Sequence, residues 1–302
     1  MITEKQQVDR TKGIGSSDVP TILGLNTWST AHDLWLFKTG QVPGVQENEA
    51  MRIGTVLEEG VLQLAAGRLG VKIVKPTSTF VGSAPFMRAN VDGMIGIAKR
   101  GSPIVEAKTT GRTDEWGAEG TDEVPEAVKA QVMFQMMCSS SDVTHIACLQ
   151  GDRGLRLKMY RVPFCSEYGS YIHERVCHFW QLVQSNTPPD CVASLDVLKQ
   201  IRRNDDAPSV AIARELFQAD VDAHAVLKSA TEFADRTRSA LLTALGRSRA
   251  GHCDGFSIRV SQVEVSRFDS KTFAAENPET AAKYTIQSGY PRVTVSNKGD
   301  KQ

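Results

Sequence analysis

The 302-residue sequence has no net charge, no closely spaced cysteines and no long apolar segment. Its six cysteines include no C-x-x-C pair, which argues against an iron–sulfur cluster and against a disulfide framework. Neither a secretory signal pattern nor an apolar run long enough to cross a bilayer is evident, so we expect free thiols, a cytoplasmic location and no membrane partner. Basic and acidic residues number 35 each, so net charge does not favour nucleic-acid binding, although a local basic groove stays compatible with it.

Internal repeats and low-complexity tracts are also absent, and the length predicts one large domain or two modest ones. The composition changes after the Pro-Pro pair at 188–189 and Cys191, where an Ala/Leu/Val-rich pattern with helical spacing begins. We therefore predict a core over residues 1–200. The accessory region, residues 201–302, is predicted to contain a long helix, a short hairpin and a basic tail.

The chemistry concentrates in the segment NVDGMIGIAKRGSPIVEAK, residues 90–108. Asp92 stands at a predicted hairpin-like turn, and alternate side chains of the strand that follows place Glu106 and Lys108 on one face. Two carboxylates and a lysine at a strand end are suited to Mg²⁺-assisted phosphodiester hydrolysis. The pattern D-x(n)-E-x-K is short enough to occur by chance, so a hairpin with an exposed charge pair is the alternative.

A helix predicted over 51–69 places Glu58 within its apolar stripe, where a carboxylate needs a partner. A metal ion and an arginine from elsewhere are equally suitable partners. A second helix, predicted over 126–138, places Gln131 on a buried stripe. The Gln131 amide either bonds to backbone or orients an attacking water or Lys108.

Near the beginning of the sequence, Gly-Ser-Ser-Asp at 15–18 precedes an apolar helical pattern. This arrangement predicts a helix start with Ser16 or Ser17 as the N-cap residue. The free N–H groups and hydroxyls of such a start also suit a phosphate. A plain N-cap is the simpler interpretation of the local pattern.

Five segments occur in the order seen in one protein family: GIGSSDVPTILGLNTWSTAHDLW, GTVLEEG, NVDGM, VEAKTT and VKAQVMFQMM. Together they resemble the lambda exonuclease / YqaJ-type viral recombinase family of the PD-(D/E)xK nucleases, over roughly residues 10–185. The resemblance implies an α/β fold, with a restriction-endonuclease-like core whose central mixed β-sheet is flanked by helices. A C-terminal helical and β extension follows this core.

The resemblance also implies a Mg²⁺-dependent exonuclease that digests linear double-stranded DNA from a 5′-phosphorylated end and leaves a 3′ single strand. Two ions per site are expected, with Mn²⁺ able to substitute. Implied partners are further copies in a homo-oligomeric ring and a single-strand annealing protein, in a bacterial host with phage or prophage origin. An endonuclease of the same fold and a non-catalytic DNA-end-binding scaffold are the alternatives.

Site residues carried over by the resemblance fall into two groups. Asp92, Glu106, the Ala107 carbonyl and Glu58 are the implied metal ligands, while Lys108 positions or activates the water. The second group binds the 5′-phosphate and DNA, and its members are Ser17, Ser16, Arg10, Lys12 and Arg112. Lys12 is included because it could replace Arg10 at the phosphate.

Overall fold

The chain divides into two compact units, Met1–Arg203 and Asn204–Gln302. The computed structural model describes residues 10–44, 48–151, 154–201, 203, 206–286 and 295. Of the predicted basic tail, residues 287–294 and 296–302 lie outside the described part. Among the helices that the structure describes, none combines the length and the apolar character needed to cross a membrane. All six cysteines are free thiols.

The helices of the first unit are bounded as follows: α1 Val19–Ile22, α2 Ala31–Lys38, α3 Glu49–Leu69, α4 Glu126–Ser139, α5 Ser166–Gln184 and α6 Leu195–Leu198. A 3-10 turn at Ser16–Asp18 leads into α1. Helix α2 begins in a capping box, because Thr30 and Asp33 each accept a hydrogen bond from the other's backbone N–H. Its last residue is Lys38.

Eight strands form the sheets of this unit: β1 Ile14–Gly15, β2 Ile73–Val74, β3 Phe80–Val81, β4 Met87–Ala89, β5 Gly93–Ile95, β6 Ile104–Thr110, β7 Val143–Gly151 and β8 Leu155–Pro163. The central sheet has the order β2-β5-β6-β7-β8 and is mixed, since β6 and β7 run parallel and the other neighbours antiparallel. A smaller sheet has the order β1-β4-β3. The predicted central mixed sheet is confirmed.

The turn at Asp92 differs from the prediction of a hairpin. Strands β4 and β5, on either side of it, belong to different sheets, so Asp92 lies where the chain crosses from one sheet to the other. A Cβ at Gly93 would come within 2.5 Å of Ile73 Cγ2, so this crossing requires a residue without a side chain. Close packing with β2 thereby brings the Asp92 carboxylate against the central sheet.

Helices cover both faces of the central sheet. Val61, Leu62 and Ala65 of α3 pack on one face against Val105 and Ala147. Helix α4 lies on the other face and is buried around most of its circumference, including Val132, Met133, Phe134 and Met136. The strand β6 is therefore buried on both faces, and any polar side chain that it carries inward must find a partner.

The second unit is built from a long helix, a hairpin and two short helices. Their bounds are α7 Arg214–Leu245, β9 Ala250–Cys253, β10 Phe256–Arg259, α8 Ser270–Glu276 and α9 Pro278–Tyr284. Strands β9 and β10 pair antiparallel, as the alternating pattern of the sequence predicts. No described residue of α7 is buried.

Candidate functional site

The two faces of β6 separate its polar and apolar side chains, as the alternation predicts. Val105 and Ala107 contact the cluster beneath α3, whereas Glu106 and Lys108 face the α4 side. Glu106 is 2% exposed and accepts a hydrogen bond from Lys108 Nζ at 2.7 Å. The E-x-K motif is thus a buried carboxylate paired with a partly exposed lysine, and the alternative of an exposed charge pair on a hairpin is wrong.

Helix α4 supplies two amides to the same carboxylate. Gln131 Nε2 donates to Glu106 Oε1 at 2.8 Å, and Gln135 Nε2 donates to Glu106 Oε2 at 2.8 Å. Gln131 Oε1 also accepts from Lys108 Nζ at 3.0 Å. Of the alternatives considered for the Gln131 amide, the structure shows bonds to Lys108 and Glu106 and not to backbone. Sequence reasoning missed Gln135, although its place one helical turn after Gln131 puts both amides on one face.

Asp92 lies beside this group. Its Oδ2 accepts a hydrogen bond from the Ala107 backbone N–H at 2.9 Å. Burial first, and the negative charge of Glu106 second, raise the pKa of Asp92 to about 8. A half-buried and a buried carboxylate that repel one another in this way favour a bound cation, which would relieve the repulsion.

Lys108 has its pKa set by opposing effects. Burial lowers the pKa, but the charge of Glu106 and the hydrogen bond to it outweigh burial, so the pKa is raised above its usual 10.5. The ammonium group therefore keeps its protons at neutral pH. In that state it can hold and orient a water or phosphate oxygen, but it cannot abstract a proton.

Glu58 has found a partner among the side chains of the protein. Lys75 Nζ lies 2.5 Å from Glu58 Oε1, and the Glu58 side chain is 26% exposed. The side chain that pairs with this carboxylate is a lysine, and not the arginine considered as the alternative to a metal. Glu58 still lies near the site, because its charge contributes to the raised pKa of Asp92.

Three of the predicted phosphate-binding residues, Arg10, Ser16 and Ser17, line the same cavity as Asp92. This cavity has a volume of about 520 Å³. Its lining residues are Arg10, Gly13, Ile14, Gly15, Ser16, Ser17, Asp18, Lys38, Thr79, Arg88, Asn90, Asp92, Gln131 and Gln135. Arg10 Nη2 donates to Ser17 Oγ at 3.4 Å, so the side chains of the predicted arginine and serine are in contact.

The simpler N-cap interpretation of Ser16 and Ser17 is wrong. Gly15 precedes the 3-10 turn, and Asp18 is the residue before α1. The Asp18 carboxylate accepts the Gly15 N–H at 2.9 Å. Neither serine is therefore committed to capping, and the Ser17 hydroxyl is exposed at the cavity.

Two predicted DNA-binding residues are not among those that line the cavity. Lys12 is exposed, and Arg112 follows the end of β6, where its backbone bonds with the Thr110 hydroxyl. Arg88, which sequence reasoning missed, lines the cavity instead. It alternates on β4 with buried Met87 and Ala89, so its side chain leaves the core on the cavity side.

The donor set fits a hard divalent cation. Asp92 and Glu106 supply oxygen ligands of the kind that Mg²⁺ and Mn²⁺ prefer. Gln135 Oε1 is buried and accepts no hydrogen bond from any described residue. Its Nε2 bonds to two acceptors, Glu106 Oε2 and Asn90 O, which fixes the orientation of the amide. In the described ranges, no three His, Cys, Asp or Glu side chains converge, so the site offers a carboxylate pair and leaves further positions to other oxygens.

The central mixed sheet is flanked by helices and carries the E-x-K motif on β6, with Asp92 beside it. This arrangement is a restriction-endonuclease-like α/β fold. The fold is shared with LHK-Exo of Laribacter hongkongensis, solved in complex with dAMP, at a TM-score of 0.50 and 16% identity over 61% of this chain and 94% of that one. A phage-related exonuclease of Haemophilus somnus 129PT gives a TM-score of 0.46 and 17% identity over 58% and 94% of the two chains.

Residues 7–142 match the model of the YqaJ-like viral recombinase domain. Among curated proteins, the uncharacterized protein YqaJ of Bacillus subtilis (strain 168) is 40% identical over 140 residues. That match covers 45% of this chain and 42% of the relative, so it spans less than half of either protein.

Proposed function

We propose that this protein is a divalent-metal-dependent deoxyribonuclease that digests linear double-stranded DNA from a 5′-phosphorylated end. The observation that carries the proposal is a single cavity joining two chemistries. Arg10 and Ser17 lie in it with a second guanidinium, Arg88, and Asp92 lies in it with the amides that hold Glu106. A terminal phosphate and a scissile phosphate can thus be held in one site.

The family match supports a nuclease, because the proposed site residues, from Arg10 to Gln135, lie within the matched residues 7–142. LHK-Exo, which has this fold, is described in complex with dAMP. A deoxynucleoside monophosphate is the kind of product that an exonuclease releases, and it carries a phosphate of the type the cavity suits. We propose the same substrate class for this chain, with the core in residues 1–200 and an accessory region in residues 201–302.

In this proposal Asp92 and Glu106 hold Mg²⁺ or Mn²⁺, two ions when fully occupied, with the Ala107 carbonyl and Glu58 as further ligands. The bound cation supplies charge neutralisation and polarisation of the scissile phosphate. Lys108, protonated, orients the attacking water, and Gln131 holds the Lys108 ammonium in place. Arg10 and Ser17 bind the 5′-phosphate, which a guanidinium can grip through two parallel hydrogen bonds.

The biological role that follows is production of 3′ single-stranded tails for recombination by an annealing protein, within a bacterial host cell. A homo-oligomeric ring around the DNA would give processive digestion, because the substrate could leave only when the ring opens. The annealing protein and the ring are proposed from the family match.

Digestion of linear duplexes with Mg²⁺ tests the proposal. Three substrates are compared: a 5′-phosphorylated duplex, a 5′-hydroxyl duplex and a closed circle. Stepwise loss from the phosphorylated 5′ end, with the circle intact, is the expected result. Cutting of the circle would identify an endonuclease of the same fold, and binding of ends without cutting would identify a scaffold.

A further inference from the structure

Lys38, the last residue of α2, has a fully buried side chain. Its ammonium group donates to three acceptors: the Arg10 carbonyl at 2.6 Å, the Gly13 carbonyl at 2.8 Å and Asp18 Oδ2 at 2.6 Å. An ammonium group has three N–H bonds, so every one of them is used. A lysine this deeply buried is uncommon unless it is paired, and here its partners all belong to one segment.

That segment is the one that carries the predicted phosphate-binding residues. The bonds from Lys38 fix the backbone at both ends of residues 10–13, and Asp18 ties the Gly15 N–H to the same centre at 2.9 Å. Arg10 and Ser17, seven residues apart in this short segment, are thereby held in place, and their side chains meet at 3.4 Å. Without Lys38, no other described residue joins Arg10, Gly13 and Asp18 through a single group.

The anchor itself is rigid. Helix α2 is fixed at its start by its capping box and along its length by buried Leu34, Trp35 and Leu36. Trp35 Nε1 also donates to the Leu182 carbonyl of α5 at 3.2 Å. Lys38 therefore connects a packed helix to the segment that contains β1 and the 3-10 turn.

We propose that the Lys38–Asp18 pair is the positioning element of the terminal-phosphate site, holding Arg10 and Ser17 where they recognise a 5′-phosphate. Lys38 contacts the loop and is a positioning residue, distinct from the groups that would touch DNA. The inference rests on the proposed function in one respect, that the ligand is a phosphorylated DNA end. The buried ion pair would thus be the reason that the protein binds 5′-phosphorylated ends in preference to 5′-hydroxyl ends.

The test compares wild type with the double variant Lys38→Met/Asp18→Asn, which removes both charges and keeps an oxygen for the Gly15 N–H. Removing both partners avoids leaving one buried charge alone. The matched control is Lys199→Met/Asp196→Asn, an ion pair of the same residue types on the surface. The readout is equilibrium binding of 5′-phosphorylated and 5′-hydroxyl duplexes without metal, followed by KM and kcat on both duplexes with Mg²⁺.

The double variant should lose preference for the phosphorylated duplex by about tenfold or more, because a displacement of 1 Å at a positioning contact has effects of this size. KM for the phosphorylated duplex should rise, with kcat and the affinity for the hydroxyl duplex unchanged. Hydrogen exchange at residues 13–18 should accelerate, while exchange in the central sheet stays as in wild type. The surface control should match wild type in every measurement.

A folded double variant that keeps the phosphate preference would overturn the inference and leave the proposed function standing. If wild type itself binds both duplexes equally, the terminal-phosphate site and this inference both fail. If the double variant does not fold, Lys38→Gln/Asp18→Asn, a neutral pair that keeps a donor and an acceptor, supplies the same comparison, with a smaller loss of preference expected and an unchanged preference contradicting the inference.

Discussion

Gln135 Nε2 donates a 2.8 Å hydrogen bond to Glu106 Oε2, on the oxygen opposite the one that Lys108 and Gln131 share. Both oxygens of the carboxylate are thus held from one side of the sheet. Glu106 is consequently fixed in orientation within the core, where a carboxylate without donors would be costly.

Replacing Gln135 by Met should destabilise the protein, because Glu106 Oε2 would lose its donor at a buried position. The expected loss in the free energy of unfolding is about 1–3 kcal/mol. Urea denaturation of wild type and variant without metal measures it. Added Mg²⁺ should recover part of the loss, and a variant as stable as wild type would show that the bond contributes nothing.

Lys108→Ala should abolish digestion of the 5′-phosphorylated duplex. Removing one preorganised hydrogen-bond donor costs about 10²–10³-fold in rate, so activity should fall by at least that much. Duplex affinity should change little. Lys129→Ala, which removes a lysine from a surface pair with Asp122, is the control. Activity within a few-fold of wild type in Lys108→Ala would remove Lys108 from the mechanism.

The raised pKa of Asp92 predicts the pH dependence of stability without metal. Between 3.8 and about 8 the folded protein holds a proton on Asp92 that the unfolded chain releases. The free energy of unfolding should therefore decrease as the pH rises through this window, by at most about 1.4 kcal/mol per pH unit for one proton. Urea denaturation in EDTA from pH 5.5 to 8.5 measures the slope. Asp92→Asn should flatten it, and equal slopes in both proteins would argue against a proton on Asp92.

With a divalent cation present, the free energy of unfolding should instead increase as the pH rises, because binding of the cation has to displace the Asp92 proton. Affinity for Mg²⁺, measured by calorimetry, should increase as the pH approaches about 8. Activity should fall in acid for the same reason. Saturating metal should stabilise wild type by about 2.7 kcal/mol at a hundred times Kd. The double variant Asp92→Asn/Glu106→Gln should show no such stabilisation, and an undiminished effect would place the metal elsewhere.

Arg88→Met should weaken binding of the 5′-phosphorylated duplex and leave the 5′-hydroxyl duplex unaffected. A hydrogen bond to a charged group contributes about 1.5–3 kcal/mol, which corresponds to a tenfold to hundredfold loss of affinity. Fluorescence anisotropy with both duplexes measures the difference. Arg156→Met, on an exposed position of β8, is the control. Equal losses for both duplexes would assign Arg88 to general backbone contact.

Local patterns in the sequence determined a large part of this protein. The two-residue period of β6 predicted that Glu106 and Lys108 share a face, because backbone pleating alone fixes that relationship. Apolar spacing predicted the helices over 51–69 and 126–138, and the structure has them as Glu49–Leu69 and Glu126–Ser139. The order of five motifs indicated a family, and residues 7–142 match the model of the YqaJ-like viral recombinase domain.

Tertiary structure decided which side chains share a site. Gln135 reaches Glu106 across 29 residues and Lys38 reaches Asp18 across 20, and no local period links either pair. The separation of β4 and β5 into different sheets set the place of Asp92, against the predicted hairpin. Glu58 paired with Lys75 because β2 brings that lysine beside α3. Such contacts depend on how the sheets and helices pack, and that packing is a property of the whole core.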